Sequence, residues 1–161
     1  IPKTLEEKAA ELKNILPDEI VSQLISSREF PLFEKLAKNH NPLLAANMVT
    51  SYITDLRRRG LNTDKLHEDD YLGILQLVDI KEISKNSALQ AMEMRINRIE
   101  FKEIKNKLGR MNESELESII EKIVSENTGM KESALMGLVM KKIAGKADGE
   151  AVIRILRKKM E

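Results

Sequence analysis

The sequence has no cysteine, no tryptophan and only two histidines, and aromatic residues make up 3% of its 161 positions. Without cysteine there is no disulfide framework, no thiolate zinc site and no thiol nucleophile. Two Tyr and three Phe are too few for the base-stacking platforms of RNP sheets or oligonucleotide-binding barrels. His40 and His67 leave little material for metal or acid–base chemistry. The longest apolar run, Ala134–Met140, falls far short of the roughly 20 residues a bilayer span requires. No membrane partner is therefore expected, and no secretory leader is recognisable. A Gly-rich phosphate loop, an HExxH helix, a GxSxG turn and a Ser/His/Asp set are all missing, so no catalytic residue and no metal ligand can be named. The chain opens Ile1-Pro2 without an initiator Met and reads as a piece of something larger.

What is present is ordinary globular material, 42% hydrophobic and 33% charged. The length suits one domain or two small ones. Twenty-seven basic residues face 26 acidic ones, for a net charge of +1. The charge is unevenly placed. Residues 131–161 carry 8 basic and 4 acidic side chains, a local excess of four. Any affinity for a polyanion is thus confined to a patch.

Apolar residues recur at intervals of three and four along almost the whole chain, which predicts helices and no strands. Thr4 and Glu7 form a capping-box pattern ahead of a helix reaching about Asn14. Pro17-Asp18 and Pro31 open the next two. Asn41-Pro42 starts a helix expected to run unbroken to Arg59, where Gly60 stops it. Glu68, Asp69 and Asp70 suit the positive end of the helix that follows. Being adjacent on a helix, they cannot converge with His67 on one ion. A further helix spans Ser84 to about Arg98, and a charged stretch covers Glu100–Leu108. Asn112 caps a helix to Glu126, Lys131–Ala144 forms another, and Asp148 is expected to cap the last. The expected fold is all-α, with about six helices in residues 1–106 followed by a three-helix tail bundle in residues 107–161.

Lys131–Ala144 is the most informative segment. At about 100° per residue, Leu135, Met136, Leu138, Val139, Met140 and Ile143 cover more than half of the helix circumference, which predicts a largely buried, central helix. The remaining arc holds Ser133, Ala134, Gly137 and Lys141. A glycine inside a helix costs about 1 kcal/mol relative to alanine, so a close neighbour is expected there, either another helix or a sugar–phosphate strand. Lys131, Lys142 and Lys146 flank the arc. Arg154, Arg157, Lys158 and Lys159 follow beside an apolar stripe of Val152, Ile153, Leu156 and Met160. The three-arginine run Arg57–Arg59 reads first as cations at a helix C-terminus, and second as a contact for RNA or an acidic partner.

These residues also carry a resemblance. Ala134-Leu-Met-Gly137-Leu-Val-Met140-Lys141, followed by Gly145-Lys146-Ala-Asp-Gly149 and a basic final helix, resembles the YqeY-like tail that closes the GatB and GatE subunits of tRNA-dependent amidotransferases. The Asp-Gly form of the second motif is more similar to the archaeal GatE type. Asn112–Asn127 is similar to the tail's first helix. Ile1–Lys8 and Asn41–Asn47 resemble parts of the helical domain that precedes it. The resemblance implies a subunit that converts glutamate on the glutamine tRNA to glutamine, with ATP and magnesium bound upstream of these residues and none bound here. It implies a glutaminase-type partner subunit and a cytoplasmic setting. For this chain it implies a grip on the tRNA outer corner near the D-loop, through Lys131, Ser133, Gly137, Lys141, Lys142 and Lys146, with Arg154, Arg157 and Lys158 as further phosphate contacts. The alternative is a helical module that docks on protein and does not touch RNA.

Overall fold

A computed structural model describes residues 1–161, and its backbone is organised by the caps that the sequence advertises. The Thr4 hydroxyl accepts from the Glu7 N–H at 3.2 Å and opens α1 (Leu5–Leu12). Helices α2 (Asp18–Ile25) and α3 (Phe30–Ala37) follow, the latter with Pro31 in its first turn. Asn41 accepts from the Leu44 N–H at 3.1 Å and starts α4 (Pro42–Val49). Then come α5 (Ser51–Arg58), α6 (Glu68–Asp79), α7 (Ala88–Ile96) and α8 (Phe101–Leu108). The tail consists of α9 (Glu113–Glu126), α10 (Glu132–Ile143) and α11 (Gly149–Met160). Two single 3₁₀ turns, Thr63–Lys65 and Lys85–Ser87, complete the inventory. There is no strand, only an isolated bridge between Ile83 and Gly109.

The all-α expectation holds, but the first part has eight helices where about six were expected. One extra helix arises at Thr50, where the anticipated single helix from Pro42 to Arg59 breaks (φ −118°, ψ −88°). The Thr50 hydroxyl donates to the Ala46 carbonyl at 2.7 Å, and Thr54 donates to the Thr50 carbonyl at 3.0 Å. Hydroxyls that bond back to a carbonyl four residues earlier bend helices. The other is α8, where Phe101, Ile104 and Leu108 lie three and four apart within a highly charged stretch.

The apolar side chains divide into two clusters. Twenty-five buried residues from Leu16 to Leu108 form the first, and eight buried residues from Leu116 to Leu156 form the second. The expected boundary at 106/107 therefore falls inside α8. The change of core lies between Leu108, which packs in the first cluster, and Met111, which packs against the second. Arg110 ties the two together. Its N–H donates to the Glu82 carbonyl at 3.1 Å, and its guanidinium reaches Asp148 at 3.0 Å. Next to it, the Met111 N–H donates to the Lys146 carbonyl at 2.9 Å. Asp148 sits at the N-cap of α11, but its carboxylate makes no cap bond and serves Arg110 instead, a correction to the expected cap.

The first cluster also encloses a charged network. Asp70 accepts from its own N-cap, the His67 N–H, at 2.8 Å and from Arg95 Nε at 2.8 Å. Arg95 donates further to the Ile99 carbonyl and lies 4.3 Å from the Phe101 ring centroid. The ring in turn presses on α6 at Gly73, where any Cβ would collide with the ring carbons. Both charges are mostly buried, so removing one strands the other in a poor dielectric. Arg95→Ala is expected to cost about 3–5 kcal/mol, read as a lowered midpoint in urea unfolding. Gly109→Ala is a second test of the fold. An added Cβ there would collide with the Lys105 carbonyl oxygen, a backbone atom. A destabilisation of about 1–3 kcal/mol is expected by the same measurement.

Candidate nucleic-acid interface

The tail bundle is small, so each helix can bury only one stripe. Helix α10 buries Leu135, Val139 and Ile143, spaced at four, against α9 and α11. This corrects the expectation of a largely buried, central helix. The most extensive pairing in the tail is between α9 and α11. Met136 and Met140 are only half-buried, and Leu138 is 38% exposed. In α11 the buried stripe is Val152, Ile155 and Leu156. Ile155 thus fills the core position expected of Ile153, and Met160 is exposed.

The arc of Ser133, Gly137 and Lys141 lies about 180° around the helix from that buried stripe. Ser133, Ala134, Gly137 and Lys141 are all exposed. A Cβ built on Gly137 would meet nothing within 4 Å, so no part of this chain covers the arc. The helix ends in the left-handed region, with Ala144 at φ 48° and Gly145 at φ 81°. The turn that follows is held by the bond from Met111 to the Lys146 carbonyl, which leaves the Lys146 side chain at the rim of the junction.

The cations of the tail fall into two groups. Lys131, Lys141, Lys142, Lys146 and Lys158 make no ion pair. Arg154 bonds Glu113 at 2.9 Å and Arg157 bonds Glu132 at 2.8 Å, so two of the expected phosphate contacts are already engaged by carboxylates. Lys159 bridges Glu117 at 3.0 Å and Glu121 at 3.7 Å. Its hydrogen bond to Glu117 raises the lysine pKa and holds the Glu117 carboxyl below its usual range. These pairs lace α11 to α9 and α10. They leave Lys131, the lysines of α10, Lys146 in the turn after it and Lys158 as the unengaged charge. Leu138, counted with the buried set in the sequence, stands beside the arc instead. On the wheel Leu138 lies only about 60° from Leu135, so its position alone does not separate it from the core.

No group of three His, Cys, Asp or Glu side chains converges as a metal site. His40 Nδ1 pairs with Asp79 at 2.5 Å, and His67 occupies the N-cap of α6. The tail thus presents an open face of small side chains with unpaired ammonium groups around it.

Comparison with known proteins gives the chain a class. Residues 31–160 match the model of the GatB domain family (GatB_Yqey), and the chain belongs to that family. Among curated proteins it is similar to the glutamyl-tRNA(Gln) amidotransferase GatE protein of Methanocaldococcus jannaschii, with 32% identity across the whole chain and 28% of that protein's length. The GatE proteins of Archaeoglobus fulgidus and Methanosarcina barkeri are each 28% identical across the whole chain, over 27% and 28% of their lengths. The chain thus spans little more than a quarter of the curated relatives it matches, and it corresponds to their C-terminal part. No solved structure matches. No helix is long and apolar enough to cross a membrane.

The openness at Gly137 has a measurable consequence. With no neighbour to clash and an interior helical position, Gly137→Ala is expected to raise stability by about 0.5–1 kcal/mol, seen as a higher thermal midpoint.

Proposed function

We propose that this chain is the tRNA-gripping, non-catalytic portion of a glutamyl-tRNA(Gln) amidotransferase subunit. One observation carries the reading. Helix α10 keeps a glycine at an exposed interior position where nothing in the chain requires it, beside lysines that no carboxylate engages. A glycine retained against helix propensity on an open, cationic face suits close approach of a sugar–phosphate backbone. The relatives are named for action on a tRNA, and that supplies the ligand class.

In this reading Ser133 and Gly137 let the strand approach the helix, and Lys141, Lys142 and Lys146 neutralise phosphates. Lys131 and Lys158 extend the patch. Arg154 and Arg157 contribute less, because each must first release a glutamate. With so few aromatics, recognition is by shape and backbone, near the outer corner of the tRNA. ATP and magnesium chemistry, and docking of a glutaminase-type partner, belong to the rest of the subunit. No residue here is assigned to them.

The test is filter binding of glutamine tRNA over a salt series. Combined replacement of Lys141, Lys142 and Lys146 by Ala is expected to weaken binding. It should also flatten the plot of log affinity against log salt by about 0.7–0.9 for each phosphate that is no longer neutralised. Gly137→Ala is expected to weaken binding several-fold while the protein becomes more stable, a combination that misfolding cannot produce. Full-strength binding with an unchanged salt slope in both variants would favour a protein-docking face instead.

A further inference from the structure

A wide cleft lies in the first part, away from α10. It has a volume of about 730 Å³ and runs between the turn joining α2 to α3 and the break between α4 and α5. Only two of its 13 lining residues, Val49 and Ile53, are apolar, which is unlike a small-molecule pocket.

The arginines explain its character. The chain has nine. Five of them, Arg59, Arg95, Arg110, Arg154 and Arg157, are held by carboxylates. Of the four that are not, Arg28, Arg57 and Arg58 all line this one cleft. Arg28 sits on the α2–α3 turn, while Arg57 and Arg58 sit on the last turn of α5, so residues far apart in sequence converge. Arg57 is steadied by a 2.8 Å bond from its Nε to the Thr63 hydroxyl, which leaves both Nη groups unbonded. Two acids share the cleft. Asp55 is already paired with Arg59 at 3.2 Å, which leaves Glu29 as the unmatched negative charge. Three unpaired guanidiniums against one free carboxylate make a cationic recess. Guanidinium is the side-chain group best shaped to fork onto phosphate oxygens.

We propose that this cleft is a second phosphate-binding site of the chain, taking the backbone of the same RNA that α10 grips. Naming RNA as the source of the phosphates rests on the function proposed above, whereas the anion chemistry does not. Two separated contacts on one ligand act at high effective concentration, so modest local affinities multiply. The Thr50 break contributes by geometry. A continuous helix would carry Arg57 and Arg58 along the line of α4, whereas the bend places them over the α2–α3 turn.

The test uses Arg28→Ala/Arg58→Ala in the 161-residue chain. Both residues are exposed and unbonded, so folding is expected to be unaffected, with an unchanged thermal midpoint as the check. Glutamine tRNA binding should weaken, and its salt slope should fall by about 1.4–1.8, the change for two phosphates. Pyrophosphate, followed by amide chemical shifts, should perturb Arg28, Ser51 and Thr54 in the parent chain and not in the variant. Unchanged tRNA affinity and slope in the variant would overturn the RNA assignment. Absence of pyrophosphate shifts at these amides would overturn the anion site itself. The α10 lysine variant is measured in parallel. If only that variant loses binding, the RNA assignment of the cleft fails and the function stands. If only the arginine variant does, the cleft stands and the α10 grip fails.

Discussion

The size of the tail core governs what its surface can do. Eight buried side chains hold three helices together, and α10 contributes only three of them, one per turn. A helix anchored by so narrow a stripe shows solvent more than half of its circumference. Small bundles ordinarily dress such a face with long polar side chains. Here the face carries serine, alanine and glycine, with lysines at its edges, which exposes backbone at a cost in helix propensity. The bundle accommodates that cost because the opposite stripe is fully buried, and because α11 is laced to both neighbours by two arginine ion pairs and a branching lysine. Surface pairs of this kind are individually weak. Their main effect here is selective: they occupy Arg154, Arg157 and Lys159 of α11 and leave the lysines of α10 free.

Much of this was legible in the sequence, and the residues show why. Thr4, Asn41 and Asn112 announce helix starts because their side chains can take a backbone N–H that has no other partner. Gly60 and Gly145 announce ends because positive φ is cheap only for glycine. Such signals are local, and local chemistry survives folding. Apart from the Thr50 break and α8, which are local, the failures are non-local. Leu138 counts as core on a wheel until it is known that no fourth helix faces it. Ile153 and Ile155 both fit an apolar stripe, and only the packing of α11 against α9 and α10 selects the latter. Asp148 looks like a cap until Arg110, 38 residues earlier, takes its carboxylate. Arg28 carries no signal at all until the fold brings it to Arg57 and Arg58.

Gly73 illustrates the same limit inside the first core. In sequence it is an unexplained glycine within α6. In the structure it is the floor on which Phe101 rests, and Phe101 is the surface over which Arg95 lies while it neutralises Asp70. The first-turn aspartate that reads as a dipole partner is therefore also the buried end of an ion pair linking α6 to α7. One residue serves both roles because its two carboxylate oxygens point at different donors, the His67 N–H and the Arg95 guanidinium.

Arg110 gives the two halves their relation. A junction made only of polar chain would let an eight-residue-core bundle swing, and a swinging bundle could not present two cationic surfaces to one rigid ligand. Arg110 opposes that freedom with its main chain on Glu82 and its side chain on Asp148, while the neighbouring Met111 N–H fixes the carbonyl of Lys146. The residue that would contact phosphate from the turn is thus tied through its own backbone to the strut between the cores. An ion pair at 3.0 Å between half-exposed partners is a soft restraint, and the two backbone bonds are the firmer part. A hinge stiffened in this way restricts the tail without welding it. That suits the proposed grip on a long, curved ligand held at more than one place.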